Sequence, residues 1–108
     1  MPYHALDLRA VRTYHLGTRA NLVKAGAMIH PDTPPPQFVS QELGDVAGAI
    51  AAARRQGRPV ILMMGAHVIK CGLSRVLIDL MERGAITHLA TNGAGSIHDF
   101  ELALIGET

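Results

Sequence analysis

A continuous apolar run, Val60–Met64, constrains the fold of this chain more than any other segment does. Pro59 precedes the run and Gly65 follows it, so its length suits a β-strand better than a helix. Because every side chain in the run is apolar, neither face of such a strand is suited to water. The run therefore predicts a strand of a parallel sheet that is buried on both faces.

Apolar residues at helical spacing flank this strand on both sides. Before it, a stripe that begins at Leu43 repeats at i, i+3, i+4, i+7 and i+8, and Ser40 is a suitable N-cap. Gly57 is well placed for a left-handed cap at the end of that helix. After the strand, a stripe of the same spacing begins at Leu73 and stops at Gly84. The two stripes predict helices near residues 41–56 and 73–83.

A second strand and a third helix follow. Residues 86–91 have strand character, and the turn-forming segment Asn92-Gly-Ala-Gly95 comes next. Ser96 and Asp99 have the spacing of a capping box, which predicts a helix over residues 97–105. The side chains expected to point inward from this helix are Phe100, Leu104 and Ile105.

The alternation of helices and strands predicts an α/β protein with a Rossmann-like parallel sheet and flanking helices. Residues 1–36 are interpreted as an N-terminal arm with a proline-rich connector, in which 11–16 are a candidate strand and 19–29 a candidate short helix. Residues 37–108 are interpreted as the first part of the sheet domain. Because two apolar strands leave both sheet edges open, we expect this part to be truncated at its C-terminus and to continue in a longer protein.

Composition excludes several classes of partner. Ten Lys and Arg residues against nine Asp and Glu residues leave a net charge of +1, which argues against binding to nucleic acid or to an anionic membrane. No apolar run has transmembrane length, so a membrane protein is not expected. The single cysteine cannot form an internal disulfide, which favours a reducing, cytoplasmic location.

Two loops follow the two predicted strands, at 65–72 and 92–99. In open α/β sheets ligands bind beyond the carboxyl ends of the strands, against the N-termini of the helices that follow. If the two strands are neighbours, several polar side chains of these loops project toward one crevice. They are His67, Lys70, Asn92, Ser96, His98 and Asp99.

Each signal also has a structural explanation. Gly93-Ala94-Gly95 begins a dinucleotide fingerprint, but His98 replaces its third glycine. Taken alone, these glycines are explained better by a tight turn than by nucleotide binding. A metal site is disfavoured because the spacing of His67, His98 and Asp99 matches no common ligand motif. Lys70 is also compatible with a solvated loop lysine.

The two loops resemble the N-terminal cofactor-binding portion of the deoxyhypusine synthases. In that family a T-S-N-L-I-S-S-G type loop, an amphipathic helix and a strand precede a T-T-A-G-G-V-E-E-D segment. Without gaps, Gly72 matches the last glycine of the first loop, and Thr91 matches the first threonine of the second segment. Gly95 and Asp99 match the second glycine and the aspartate, and the similarity covers the chain from Val60 onward.

The resemblance implies a Rossmann-like domain that binds NAD and assembles as a homo-tetramer. The implied reaction oxidises spermidine and transfers an aminobutyl group to a protein lysine or, in related enzymes, to a small amine. In that family the imine-forming lysine lies in the C-terminal half of the protein, which has no counterpart in this chain. The resemblance therefore implies no catalytic residue here, and the chain should be inactive by itself. The implied cofactor contacts are Ala66, His67, Lys70, Asn92, Gly93, Ala94 and His98.

One departure from the family leaves a second hypothesis open. The paired glutamates of the family fall on Ile97 and His98, so the carboxylates expected to hold ribose hydroxyls are replaced. A non-catalytic nucleotide-binding or scaffold module of the same fold is therefore the alternative to a transferase. An ordinary Rossmann dehydrogenase is disfavoured, because the glycine fingerprint is incomplete and its acidic partner is missing.

Overall fold

The computed structural model describes residues 3–108, and a two-stranded parallel sheet lies at its centre. Strand β1 (Ile61–Met64) pairs with strand β2 (His88–Thr91), with Ile61 opposite His88 and Met64 opposite Thr91. Both strands begin slightly later than the apolar pattern predicts. The two strands and their parallel pairing are confirmed.

Four α-helices accompany the sheet within residues 3–108: α1 (Gln41–Arg55), α2 (His67–Lys70), α3 (Ser74–Glu82) and α4 (Gly93–Ile105). The first and third match the predicted helices, whereas α2 is a single turn inside the first predicted loop. Ser40 caps α1 as expected, since its Oγ accepts a hydrogen bond from the Leu43 N–H at 3.2 Å. Gly57 and Gly84 have φ angles of 67° and 70°, the left-handed conformation that ends these helices. The chain is therefore an α/β protein.

The two faces of the sheet are covered unequally. The face that carries Met64 and Thr91 lies under α3 and α4, which share a cavity with it. On the other face Ile61 is 60% exposed and Met63 is 79% exposed. The prediction that both faces of β1 are buried is therefore wrong for this chain, because no helix within residues 3–108 covers the second face.

The described chain exposes far more surface than a compact domain of its mass. Its accessible surface is 8825 Å², whereas a compact protein of this mass exposes about 5,800 Å². Its radius of gyration is 18.6 Å, against about 13 Å for a compact domain. The buried apolar side chains among residues 3–108 are Ile69, Leu77 and Ile86. No helix in this range is both long enough and apolar enough to cross a membrane.

The N-terminal segment contains short 3-10 turns at Leu8–Ala10, Leu16–Thr18 and Ala25–Ala27. The predicted strand over 11–16 and the predicted helix over 19–29 are therefore wrong. Residues 19–29, here called the strap, instead bond to distant parts of the chain.

Backbone hydrogen bonds hold the strap against the end of α4 and the loop after α2. Val23 and Thr108 exchange N–H to C=O bonds of 3.0 and 2.9 Å, and the Ala25 N–H donates to the Gly106 carbonyl at 2.8 Å. The Ile29 N–H donates to the Gly72 carbonyl at 2.8 Å. These long-range bonds satisfy backbone groups that a local helix would otherwise have paired.

Candidate functional site

The two predicted loops meet at the end of the sheet where both strands finish. Met64 and Thr91 are the last residues of β1 and β2 and lie opposite each other, so both strands end at the same level. A Cβ atom built on Gly65 would lie 3.8 Å from Nδ2 of Asn92, which places the two loops side by side. The two loops therefore lie side by side at the end of the sheet where the sequence predicts a crevice.

The helix at this crevice begins earlier than predicted. Asn92 is the N-cap of α4, since its Oδ1 accepts a hydrogen bond from the Gly95 N–H at 3.0 Å. The prediction that Ser96 caps a helix beginning near Ile97 is wrong, because Asn92 supplies an equally strong cap one turn earlier. The glycines of this segment thus belong to the first turn of a helix. The N–H groups of Gly93 and Ala94 precede the first intrahelical bonds and point beyond the helix start.

Gly95 marks the closest approach between α4 and β2. Gly95 is buried, and a Cβ atom built on it would overlap Oγ1 of Thr91 and lie 3.3 Å from the Thr91 Cβ. Gly93, two residues earlier, has open space around its Cβ position. The two glycines therefore differ in role: Gly95 allows the helix to pack against the strand end, and Gly93 leaves the helix start open to a ligand.

The remaining residues of the first loop lie on α2 or at its ends. Ala66 precedes α2 in helical conformation, and His67 is its exposed first residue. Lys70 ends the helix and lines a cavity of about 180 Å³ that it shares with Val23, Met28 and other strap residues. The structure therefore places Lys70 beside the strap and not among the residues that line the larger cavity under α4.

His98 belongs to a polar cluster that joins α4, the strap and Thr108. We call this cluster the latch, and its members are Arg19, Asn21, His98, Glu101 and Thr108. The Arg19 guanidinium donates through Nη1 to Glu101 at 2.6 Å and through Nε to Asn21 at 2.7 Å. His98 Nδ1 lies 2.7 Å from the Thr108 hydroxyl, which in turn donates to Glu101. His98 is thus directed toward the strap and the chain end.

The latch strongly perturbs one carboxyl group. Hydrogen bonds from the Arg19 guanidinium and the Thr108 hydroxyl lower the pKa of Glu101 from 4.5 to about 2. The ion pair links the strap to α4 across 82 positions of sequence. Sequence reasoning missed this cluster, because nothing local to Arg19 or Glu101 indicates that they meet.

A cavity of about 350 Å³ lies between α3, α4 and the covered face of the sheet. Ser96 and Asp99, both predicted to project toward the crevice, line it. Ser74 and Thr91 also line it, although the sequence analysis did not select them as site residues. The position of Thr91 at the carboxyl end of a strand is the signal that could have identified it.

The described residues contain no group of three or more His, Cys, Asp or Glu side chains arranged to hold a metal ion. No match to a protein-family model, a curated protein or a solved structure was found for the chain.

Proposed function

We propose that this chain binds a dinucleotide, NAD, with the pyrophosphate at the start of α4. The observation that carries the proposal is the arrangement at the sheet edge: two parallel strands end together, and an asparagine-capped helix begins there with two glycines in its first turn. The free N–H groups of Gly93 and Ala94 and the positive end of the helix dipole suit a phosphate anion. The contact between Gly65 and Asn92 places the first loop beside the start of α4.

We also propose that the fold is Rossmann-like and that the chain is the cofactor-binding portion of a deoxyhypusine synthase-like transferase in the cytoplasm. The resemblance of the two loops supports this, together with the parallel pairing of the strands between them. The acceptor of the transferred group would be a small amine or a protein lysine. The chain by itself would bind cofactor without completing the reaction.

A non-catalytic nucleotide-binding or scaffold module is the second candidate, and two residues favour it. Ile97 is 58% exposed and offers no acceptor for a ribose hydroxyl, and His98 is directed into the latch. Reading the encoding gene beyond Thr108 separates the two candidates. A downstream lysine among tryptophan, histidine and acidic residues would support the transferase, and the lack of one would support the module.

We propose that copies of the chain associate, as the tetramer of the resembled family implies. The excess of exposed surface, about 3,000 Å² over a compact monomer, is as large as many obligate interfaces bury. Sedimentation velocity should therefore detect species heavier than the 11.5 kDa monomer. The double substitution Ile61→Lys and Met63→Lys, on the open sheet face, should shift the distribution toward monomer. A monomer at all concentrations would contradict association.

Calorimetric titration with NAD tests the proposed cofactor site. Gly93→Leu should weaken NAD binding by about tenfold or more, because a side chain there blocks the approach of a phosphate to two N–H groups worth about 1.4 kcal/mol or more together. Gly44→Leu in α1 is the matched control, because its Cβ position is equally open and far along the chain from the crevice. Equal NAD affinity in both variants would exclude the start of α4 as the phosphate site.

A further inference from the structure

The cavity under α4 has an apolar wall and a polar end. Met81, Leu77 and Leu89 contribute to the wall, from α3 and the sheet. Ser96 and Asp99 contribute to the polar end, from one face of α4. An apolar wall with a few polar groups at one end is a common lining of small-molecule sites, in which the polar groups fix the orientation of the ligand.

Two features of the polar groups indicate that they can accept a ligand. Ser74 Oγ is buried at the cavity and has no hydrogen-bond partner among the described residues, a condition that is costly unless something else supplies a partner. The Asp99 carboxylate has no ion pair or hydrogen bond within residues 3–108, so its oxygens remain available as acceptors.

The position of Asp99 relates the cavity to the proposed phosphate site. Asp99 follows Gly93 by six residues, so its Cα lies about 9 Å further along the helix axis. Side chains of a helix lean toward its N-terminus, which brings the carboxylate closer to the start of α4. One nucleotide can span this separation, with its phosphate at the helix start and its ribose at Asp99.

Resting on the proposed function, we infer that Asp99 is the specificity-determining residue of the site and binds the vicinal hydroxyls of a nucleotide ribose. The two carboxylate oxygens accept hydrogen bonds from the 2′- and 3′-hydroxyls, and the apolar wall contacts the base. A 2′-phosphate would set a second negative charge against Asp99, so phosphorylated dinucleotides are rejected. The carboxylate of Asp99 would thus take the place of the two family carboxylates that Ile97 and His98 replace.

The same geometry directs His98 away from the cavity. His98 faces Thr108 and Glu101 in the latch, whereas Asp99 lines the cavity. A preference for NAD over NADP therefore follows, because α4 directs the carboxylate of Asp99 into the site and not the imidazole of His98.

Calorimetric titration of the whole chain with NAD and with NADP tests the inference. The unmodified chain should bind NAD about tenfold or more tightly than NADP, as loss of charge-assisted hydrogen bonds requires. Asp99→Asn should weaken NAD binding by a similar factor and bring the two affinities together. Glu82→Gln, the same loss of charge at an exposed position of α3, is the control and should change neither affinity.

A second comparison needs no variant. AMP and 2′-deoxy-AMP differ only in the hydroxyl that Asp99 is inferred to bind, so the unmodified chain should bind AMP more tightly. Equal affinities for AMP and 2′-deoxy-AMP, or NAD affinity unchanged by Asp99→Asn, would overturn the role of Asp99 while leaving dinucleotide binding in place. Failure of the unmodified chain to bind NAD would overturn the proposed function and this inference together.

Discussion

Gly95→Ala is expected to destabilise the fold by about 1–3 kcal/mol, the usual cost of forcing one extra carbon into a packed site. The added Cβ would overlap Oγ1 of Thr91, where α4 meets the end of β2. Rotation of the Thr91 side chain cannot fully relieve the overlap, because the Thr91 Cβ itself would lie 3.3 Å from the new carbon. Urea unfolding followed by circular dichroism measures the loss.

Two variants identify the cause of that loss. Gly93→Ala lies in the same helical turn with open space around its Cβ, so it should be neutral or stabilising by about 0.5–1 kcal/mol. In a Thr91→Ala background the cost of Gly95→Ala should fall, because the overlapping oxygen is absent. Equal costs of Gly95→Ala in both backgrounds would show that contact with Thr91 is not what requires glycine.

Glu101→Gln is expected to remove a large part of the acid dependence of stability. The pKa of Glu101 is about 2 in the folded chain, below its ordinary 4.5, because Arg19 and Thr108 donate to the carboxylate. A depressed folded pKa contributes stability that is fully present above about pH 4.5 and is lost as the pH falls toward 2. The unfolding midpoint of the unmodified chain should therefore fall steeply through this window.

The matched control for this prediction is Asp79→Asn. Asp79 forms an exposed i, i+4 ion pair with Arg83 at 2.9 Å, a type of pair that contributes little. Its loss should leave the acid profile nearly unchanged, whereas Glu101→Gln should flatten it. If Glu101→Gln and the unmodified chain lose stability in parallel between pH 4.5 and 2, the latch does not hold the strap to α4.

The parallel sheet could be predicted because its signals are local. Val60–Met64 is too short and too apolar to be a surface helix, and proline and glycine fix its ends. The stripes beginning at Leu43 and Leu73 repeat at helical spacing over more than two turns. The residues of each of these elements are therefore enough to identify it as a strand or a helix.

The start of α4 could not be settled by the same reasoning. Asn92 and Ser96 are both good caps, and the glycines between them are as typical of a turn as of a helix start. Packing of Gly95 against Thr91 favours the earlier start, and that contact is tertiary. The side chains of α4 are also oriented differently from the prediction. Phe100 and Leu104, predicted to point inward, are 63% and 60% exposed.

The adjacency of the two loops was predictable, but the orientation of their side chains was not. The rule that ligands bind at the carboxyl ends of parallel strands locates both loops correctly. It does not tell which residues of α4 face the cavity: Asp99 lines it, whereas the adjacent His98 contacts Thr108 in the latch. The strap and latch escaped prediction because their partners are far apart in sequence.

Amide chemical shifts during a titration with NAD test the central claim most directly. If the pyrophosphate binds at the start of α4, the N–H signals of Gly93 and Ala94 should shift the most and should saturate. Those of Gly44 and Gly48 in α1 should stay in place. Saturable shifts confined to other parts of the chain, or no saturable shift at Gly93 and Ala94, would contradict the account.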